Sequence, residues 1–212
     1  MASLPPNKNV LIIKSSPAAN SSVSNEIADY LVSQLDSKHE SYDFTVRDLA
    51  KTPAPQIDGP LLEAFFTAPD QLSDEQQALV RPSLELIAEL KAADIIVFAS
   101  AMHNFSITAL LKAYIDQICR FGLTFQYGEN GPEGLLIGKK AVVISSAGGD
   151  FQHEPAKAMD FQTPYLQNIL NFIGIKDISI VPIQGMHLVP ENADKIKSDA
   201  KAKIKQLAVS EL

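Results

Sequence analysis

Segments with two different spacings of hydrophobic residues alternate along this chain. Five short runs are nearly continuously apolar or strictly alternating, which is typical of β-strands, and the continuous ones suit strands buried on both faces. Between these runs, apolar residues recur every three or four positions, as expected for amphipathic helices. The predicted strands are residues 9–16, 44–49, 94–101, 139–146 and 178–183.

The helical segments have recognisable starts and ends. Ser24 and Ser83 stand where N-caps are expected, and Gly174 follows the last apolar residue of one stripe. A lysine-rich helix over roughly 190–209 closes the chain. The apolar stripes are Ile27, Leu31 and Leu35; Leu84, Ile87 and Leu90; Ile107, Leu110, Leu111, Tyr114, Ile115 and Ile118; and Leu166, Ile169, Leu170 and Ile173.

Strands that alternate with helices predict an α/β protein with a parallel sheet covered on both faces, because the crossovers are right-handed. Two stretches interrupt the alternation. Residues 50–72 hold four prolines and are predicted as a long irregular excursion that could include one helical turn. Residues 123–136 alternate around Gly128 and Gly131, which predicts a hairpin inserted before the fourth main strand. We expect one domain over residues 1–212.

Composition narrows the classes of function. The net charge of −7 argues against a surface that binds nucleic acid or anionic lipid. The chain has no continuous apolar run of membrane-spanning length and no signal-peptide pattern at its start, so we expect a cytoplasmic protein. The single cysteine, Cys119, fits a reducing compartment and is expected to be a buried apolar residue. The four histidines lack metal-binding spacing, and His39 is expected to be solvated near a helix end.

The loops after the central strands carry the candidate chemistry, because open parallel sheets bind ligands at the carboxyl ends of their strands. Residues 15–25 contain five serines and lead into a helix, where backbone N–H groups and hydroxyls could hold a phosphate. A simple capped turn is the alternative. The third strand is followed by MHNF, and the fourth by AGGDF, whose glycines could let the backbone approach a flat ring.

Several competing motifs are missing from the sequence. No GxGxxG follows a strand, which leaves a dinucleotide site of that type unsupported. The segment 134–140, GLLIGKK, is one residue too short for a phosphate loop and enters a strand instead of a helix. GxSxG is also missing, which removes the common serine-hydrolase arrangement.

Five segments together resemble the FMN-dependent NADH-azoreductases of bacteria, which are flavodoxin-like quinone and azo-dye reductases. They are VLIIKSS with the serines beyond it, the MHNF loop, TFQYGENGPEGLLIGKKA, the SSAGG loop and TPYLQNILNFIGI. The resemblance extends from about residue 9 to residue 205. It implies a flavodoxin-like three-layer sandwich with a five-stranded parallel sheet of order 2-1-3-4-5. It also implies one non-covalent FMN per subunit, a homodimer, and two-electron, ping-pong transfer from NADH to quinones or azo compounds.

The resemblance also implies roles for particular residues. The FMN phosphate would be held by Ser16, Ser22, Val23 and Ser24. The isoalloxazine edge would meet Met102, His103, Asn104 and Phe105, and its pyrimidine side Ser146, Ala147, Gly148 and Gly149. Phe66, Tyr127 and Phe172 would line the substrate pocket, and Phe172 could reach across the dimer. No catalytic side chain is implied, because the cofactor carries the chemistry.

This chain departs from the family pattern at a few positions. Typical members read Pro-Met-Tyr-Asn-Phe where this chain has Ala101 and His103, and they often carry arginine at the position of Ala147. A further family arginine aligns approximately with Phe66, so we expect a preference for neutral, hydrophobic acceptors over sulfonated dyes. The alternative roles are filling the core for Met102, core packing for Phe172 and bracing the hairpin for Tyr127. The rival functions are a single-electron, flavodoxin-type FMN electron-transfer protein and a flavin-free α/β protein.

Overall fold

Five parallel strands form the central sheet of the computed structural model, which describes residues 7–18, 21–37, 42–188, 190–210 and 212. His39 lies outside the described residues. In chain order the strands are β1 (Lys8–Lys14), β2 (Tyr42–Asp48), β3 (Ile95–Ala101), β4 (Phe125–Gly128), β5 (Gly131–Gly134), β6 (Lys140–Ser146) and β7 (Asp177–Ile183). The main sheet has the order β2-β1-β3-β6-β7, and β4 pairs with β5 in a separate antiparallel hairpin. Counted within the main sheet, this is the predicted order 2-1-3-4-5, which is therefore confirmed.

Helices cover both faces of the sheet. They are α1 (Val23–Asp36), α2 (Gly59–Phe66), α3 (Asp74–Ala92), α4 (Ala109–Ile118), α5 (Thr163–Phe172) and α6 (Ala193–Ser210). Successive residues of β1 point to opposite faces, so Val10 and Ile12 pack towards α1 and α6, whereas Leu11 and Ile13 pack towards α3, α4 and α5. Burial on both faces explains why β1, β3 and β6 read as nearly continuous apolar runs.

Two helices begin earlier than predicted. The N-cap of α1 is Ser22, whose side chain accepts a hydrogen bond from Asn25 N and whose carbonyl accepts one from Glu26 N. Ser24 is already helical and fully buried. The cap of α3 is Ser73, which forms a capping box with Gln76, and Ser83 lies inside the helix. The prediction placed both starts too late because each helix has another serine at its true cap.

The apolar stripe predicted for α3 was partly wrong. Leu84 is 45% exposed, whereas Ile87 and Leu90 are buried as expected. Ser83 is buried instead and donates a hydrogen bond to the carbonyl of Gln117 in α4 at 2.6 Å. The small serine lets α3 approach α4 closely, so this hydrogen bond replaces an apolar contact.

The proline-rich excursion is more ordered than predicted. It contains the two-turn helix α2 and a 3₁₀ turn over Pro69–Gln71. Asp58 caps α2 by accepting a hydrogen bond from Leu61 N at 2.9 Å, and a proline is tolerated in the first turn because its missing N–H would have no helical acceptor. Leu61 and Ala64 pack on Val80 of α3, which attaches this helix to the domain.

The predicted hairpin before the fourth main strand is confirmed. Tyr127 pairs with Pro132 and Gly128 with Gly131, which leaves a two-residue connection. Gly134 lies so close to Gly174 that a Cβ atom there would sit 2.0 Å from Gly174 N, so the hairpin is packed tightly against the end of α5. Among the described residues, no helix has both the length and the hydropathy that a membrane span requires.

Candidate functional site

Three loops meet at the carboxyl edge of the central strands. Loop 1 (residues 15–18 and 21–22, the described part of this segment) follows β1, loop 2 (residues 102–107) follows β3 and loop 3 (residues 147–151) follows β6. The Thr108 hydroxyl donates to the carbonyl of Ser15 at 3.0 Å, and Met102 N donates to the carbonyl of Ser146 at 2.7 Å. These bonds join all three loops into one site, at the point where the strand order reverses between β1 and β3.

Loop 1 ends at the start of α1, where unpaired backbone donors converge. Val23 and Ser24 occupy the first two helical positions, so their N–H groups have no acceptor within the helix. The positive end of the helix dipole adds to these donors. Ser16 and Ser22 are nearly buried beside them, and the Ser22 and Ser24 hydroxyls are 3.1 Å apart. This arrangement can bind an anion such as a phosphate.

The lysines near loop 1 are already paired. A pocket of about 310 Å³ beside Ser22 contains Lys14 and Lys51. Lys14 lies 2.6 Å from a carboxylate oxygen of Asp29, and Lys51 lies 3.4 Å from one of Asp48. An anion at loop 1 would therefore meet backbone N–H groups and hydroxyls before it met an unpaired lysine.

Loop 2 contains a strained turn. His103 and Ser106 exchange backbone hydrogen bonds of 2.8 and 3.0 Å around Asn104 and Phe105, whose φ angles are 48° and 69°. Asparagine tolerates this left-handed region, but for phenylalanine it costs about 1–2 kcal/mol. The Phe105 carbonyl accepts a hydrogen bond from Phe161 N at 2.9 Å, which holds the turn from outside.

The glycines of loop 3 lie close to side chains whose positions the sequence did not indicate. A Cβ atom on Gly148 would lie 2.7 Å from Nδ1 of His187, and one on Gly149 would lie 3.0 Å from the ring of Phe151. The Phe151 ring also meets Phe105 edge-on, with centroids 6.0 Å apart. Phe151, itself in loop 3, thus contacts loop 2, and His187 contacts loop 3. The paired glycines are the sequence signal that some group approaches closely there.

A buried polar network lies directly beneath loops 2 and 3. Gln162, just before α5, is fully buried and bonds to the side chains of Ser100 in β3 and Ser145 in β6. Sequence reasoning missed this glutamine because it stands outside the strands and loops that carry the family pattern. Its position shows that the carboxyl ends of the two central strands are joined by side chains as well as by the sheet.

The structure separates two predicted substrate residues from the three loops. Tyr127 and Phe172 belong to an aromatic cluster with Phe121 and Phe125, in which Phe125 and Phe172 have centroids 4.6 Å apart. α5 starts at the carboxyl edge, and Phe172 ends it roughly 14 Å further along the axis, at 1.5 Å per residue. The aromatic cluster therefore lies well below the loops of its own chain. Tyr127 is 68% exposed.

The third predicted substrate residue, Phe66, ends α2 and is 85% exposed. Its neighbour Phe65 stacks under the guanidinium of Arg120, which lies 3.4 Å from the ring centroid. Arg120 also donates to the Ser83 hydroxyl at 2.9 Å. Burial lowers the pKa of Arg120 to about 10, so the side chain stays charged at neutral pH.

Neither a reactive thiol nor a metal centre emerges from the described ranges. Cys119 is half-buried, less than expected, and this burial still raises the pKa of its thiol to about 12, which keeps the thiol protonated at neutral pH. Among the described residues, no group of three or more His, Cys, Asp or Glu side chains is placed to hold a metal ion. The groups that the three loops present are backbone donors, hydroxyls and aromatic rings.

A comparison with protein families shows which family this chain belongs to. The model of the family described as having a flavodoxin-like fold matches residues 8–208. The chain belongs to this flavodoxin-like family.

Curated relatives of this flavodoxin-like protein carry one common description. The chain is 48% identical over 201 residues to the FMN-dependent NADH:quinone oxidoreductases of Shigella flexneri and Escherichia coli O157:H7, covering 95% of this chain and 98% of each relative. Solved structures agree. An azoreductase from Bacillus anthracis str. Sterne matches at a TM-score of 0.87 and 26% identity, covering 95% of this chain and 98% of that one.

A second Bacillus anthracis structure, an FMN-dependent NADH-azoreductase in complex with FMN, matches at a TM-score of 0.85 and 27% identity, with the same coverage of 95% and 98%. The predicted membership of the FMN-dependent NADH-azoreductase family is thereby confirmed. The roles of individual residues stay predictions.

Proposed function

We propose that this chain is an FMN-dependent NADH:quinone oxidoreductase that also reduces azo compounds. The observation that carries the proposal is the convergence of three loops at the switch point of a flavodoxin-like sheet. The chain is also 48% identical to FMN-dependent NADH:quinone oxidoreductases over nearly its whole length. NADH is the electron donor, and quinones or azo compounds are the acceptors.

The residues of the three loops fit FMN. A dianionic phosphate suits the start of α1, where the adjacent lysines are paired and the N–H groups are available. A flat apolar ring suits the strained turn, which presents backbone groups and a half-exposed phenylalanine, Phe105. The proposed contacts are Ser16, Ser22, Val23 and Ser24 to the phosphate, Met102 to Phe105 along the ring edge, and Ser146 to Gly149 at its pyrimidine side.

FMN, when bound, supplies the two-electron chemistry. The chain binds the phosphate, fixes the ring between loops 2 and 3, and excludes water with apolar side chains. Phe105 and Phe151 are placed for the last task, because their rings are in contact at the junction of the two loops. No side chain needs to form a covalent bond, so acid denaturation should release FMN intact.

A homodimer completes the substrate pocket in this proposal. The aromatic cluster lies away from the loops of its own chain, and it leaves Phe121 and Tyr127 more than half exposed. A second copy of the chain would bring Tyr127 and Phe172 over the flavin that loops 1 to 3 hold. We place this homodimer of single-domain subunits in the cytoplasm.

Acceptor preference follows from the side chains around the pocket. Phe66 is apolar and exposed, and Ala147 is small and buried, so neither offers a cation to a sulfonate. Neutral hydrophobic quinones are therefore the favoured acceptors. Sulfonated azo dyes should react with a lower kcat/KM than uncharged azo dyes of the same ring system.

Steady-state kinetics test the proposed function. Donor and acceptor must use the same pocket over the flavin in turn, so double-reciprocal plots at several quinone concentrations should be parallel. Intersecting lines would show that both substrates bind together. A protein that binds FMN but is not reduced by NADH would instead be a single-electron flavodoxin.

A further inference from the structure

A fully buried glutamine links the two central strands to α5 beneath the proposed flavin site. Gln162 Nε2 donates to the Ser100 hydroxyl at 2.8 Å, and its Oε1 accepts from the Ser145 hydroxyl at 3.0 Å. The Ser145 hydroxyl also lies 3.2 Å from that of Thr163. Both ends of the amide are therefore satisfied, and each is bonded to a different strand.

The same segment holds the strained turn of loop 2. Asp160 Oδ1 accepts hydrogen bonds from Gln162 N at 2.9 Å and from Thr163 N at 3.0 Å, which fixes the start of α5. Between Asp160 and Gln162, Phe161 N donates to the Phe105 carbonyl at 2.9 Å and, at the longer distance of 3.1 Å, to the Met159 carbonyl. The position of this donor thus depends on where the start of α5 is anchored.

We propose that Gln162 is a positioning residue for FMN binding. By fixing the start of α5 against the ends of β3 and β6, it places Phe161 N and so stabilises the left-handed turn at Asn104 and Phe105. This inference rests on the proposed function, in which loop 2 lies along the flavin ring. Gln162 touches neither flavin nor substrate and acts only through loop 2.

The chemistry of the amide explains why glutamine stands at this position. Ser100 needs a donor and Ser145 needs an acceptor, and one primary amide presents both at a fixed separation. A leucine of similar size would leave two buried hydroxyls without these partners. A carboxyl group would reproduce the donor and the acceptor only while protonated, and burial in this network would raise its pKa.

Two variants and one control test the inference. Gln162→Leu removes both hydrogen bonds, and Gln162→Glu restores them only in its protonated form. The control Ser83→Ala removes a buried hydrogen bond between α3 and α4, away from the three loops. For each apoprotein, the Kd of FMN is measured by quenching of flavin fluorescence from pH 5 to 9, and amide exchange is measured at Phe161.

The expected results separate positioning from general destabilisation. Gln162→Leu should raise the Kd of FMN about 10-fold or more at every pH and accelerate exchange at Phe161. Gln162→Glu should bind FMN nearly as well as wild type at pH 5 and progressively worse at higher pH. The side chain at position 162 faces only neutral hydroxyls, those of Ser100, Ser145 and Thr163. The nearby Asp160 carboxylate is present in every variant, so the pH dependence of FMN binding by wild type serves as the baseline. Ser83→Ala should keep the wild-type Kd.

The contrary results distinguish a failure of the role inferred for Gln162 from a failure of the proposed function. If wild type binds FMN and Gln162→Leu has the same Kd and the same exchange at Phe161, Gln162 does not position loop 2. Should Gln162→Leu fail to fold, the pH profile of Gln162→Glu decides, and a profile parallel to that of wild type refutes the inference. Failure of the wild-type apoprotein to bind FMN would refute the proposed function itself.

Discussion

Two residues of loop 2, Asn104 and Phe105, have positive φ angles that residues other than glycine rarely adopt. Such strain persists only where surrounding contacts over-determine the conformation. Here Ser146, Ser106 and Phe161 supply backbone hydrogen bonds to the turn or its flank. The sequence predicted the place of this loop but not its strain, because MHNF has no glycine to signal a positive φ. Phe151, Gln162 and His187 were missed for a related reason, since their roles arise from contacts between distant segments.

The phosphate end of the site gives the first prediction. Ser22→Asp keeps a good N-cap for α1 but adds a negative charge where the FMN phosphate is proposed to bind. Repulsion between the two anions should raise the Kd of FMN at least about 10-fold, which is ~1.4 kcal/mol. The neutral control Ser22→Asn caps equally well and should bind FMN far better than Ser22→Asp. Equal Kd values for the two variants would place the phosphate elsewhere.

Cys119 gives a prediction about pH. Burial raises its pKa to about 12, so the native thiol should react with iodoacetamide at pH 8 at least about 100-fold more slowly than the unfolded thiol. The folded thiol keeps its proton while the unfolded thiol loses it near pH 9, so this group favours unfolding as the pH rises above 9. Cys119→Ala should lose that alkaline dependence and keep its activity. Rapid alkylation of the folded protein would contradict the burial.

At the scale of whole elements, nearly continuous apolar runs located four of the five main strands, most clearly β1, β3 and β6, because burial on both faces leaves a strong signal. The edge strand β2 was located by its alternation instead. The hairpin was equally visible through its glycines and alternation. Helix starts were less predictable where several serines lie close together, as at Ser22 and Ser24. The sequence predicted at most one turn where α2 forms, because the four prolines of residues 50–72 masked a capped helix that tertiary contacts with α3 stabilise.

Arg120 should control how firmly α2 is attached. Its guanidinium stacks on Phe65 and donates to Ser83, so Arg120→Met removes a cation–π contact and a hydrogen bond between three elements. We expect a loss of about 1–3 kcal/mol in the free energy of unfolding. Hydrogen exchange should accelerate at Leu61 and Ala64. The matched control Arg81→Met changes an exposed arginine of α3 and should leave both quantities unchanged. Unaltered exchange in α2 after Arg120→Met would contradict this role.

At the scale of the whole molecule, the separation of the aromatic cluster from the three loops has a measurable consequence. Two inactive proteins can be combined: the variant Ser22→Asp, which is defective in FMN binding, and a double variant of the aromatic cluster that carries both Tyr127→Ala and Phe172→Ala. Mixing them should restore activity. After refolding together in equal amounts, half of the dimers are mixed and each has one intact site, so about a quarter of wild-type activity is expected. No gain over the separate variants would show that each site is built from one chain.

The most direct test of the central claim is the absorbance spectrum of the purified protein during an anaerobic titration with NADH. We expect a flavin spectrum that one equivalent of NADH per subunit bleaches in a single two-electron step, and that an added quinone restores. A colourless protein that takes up no FMN, or a bound flavin that NADH leaves oxidised, would contradict the account.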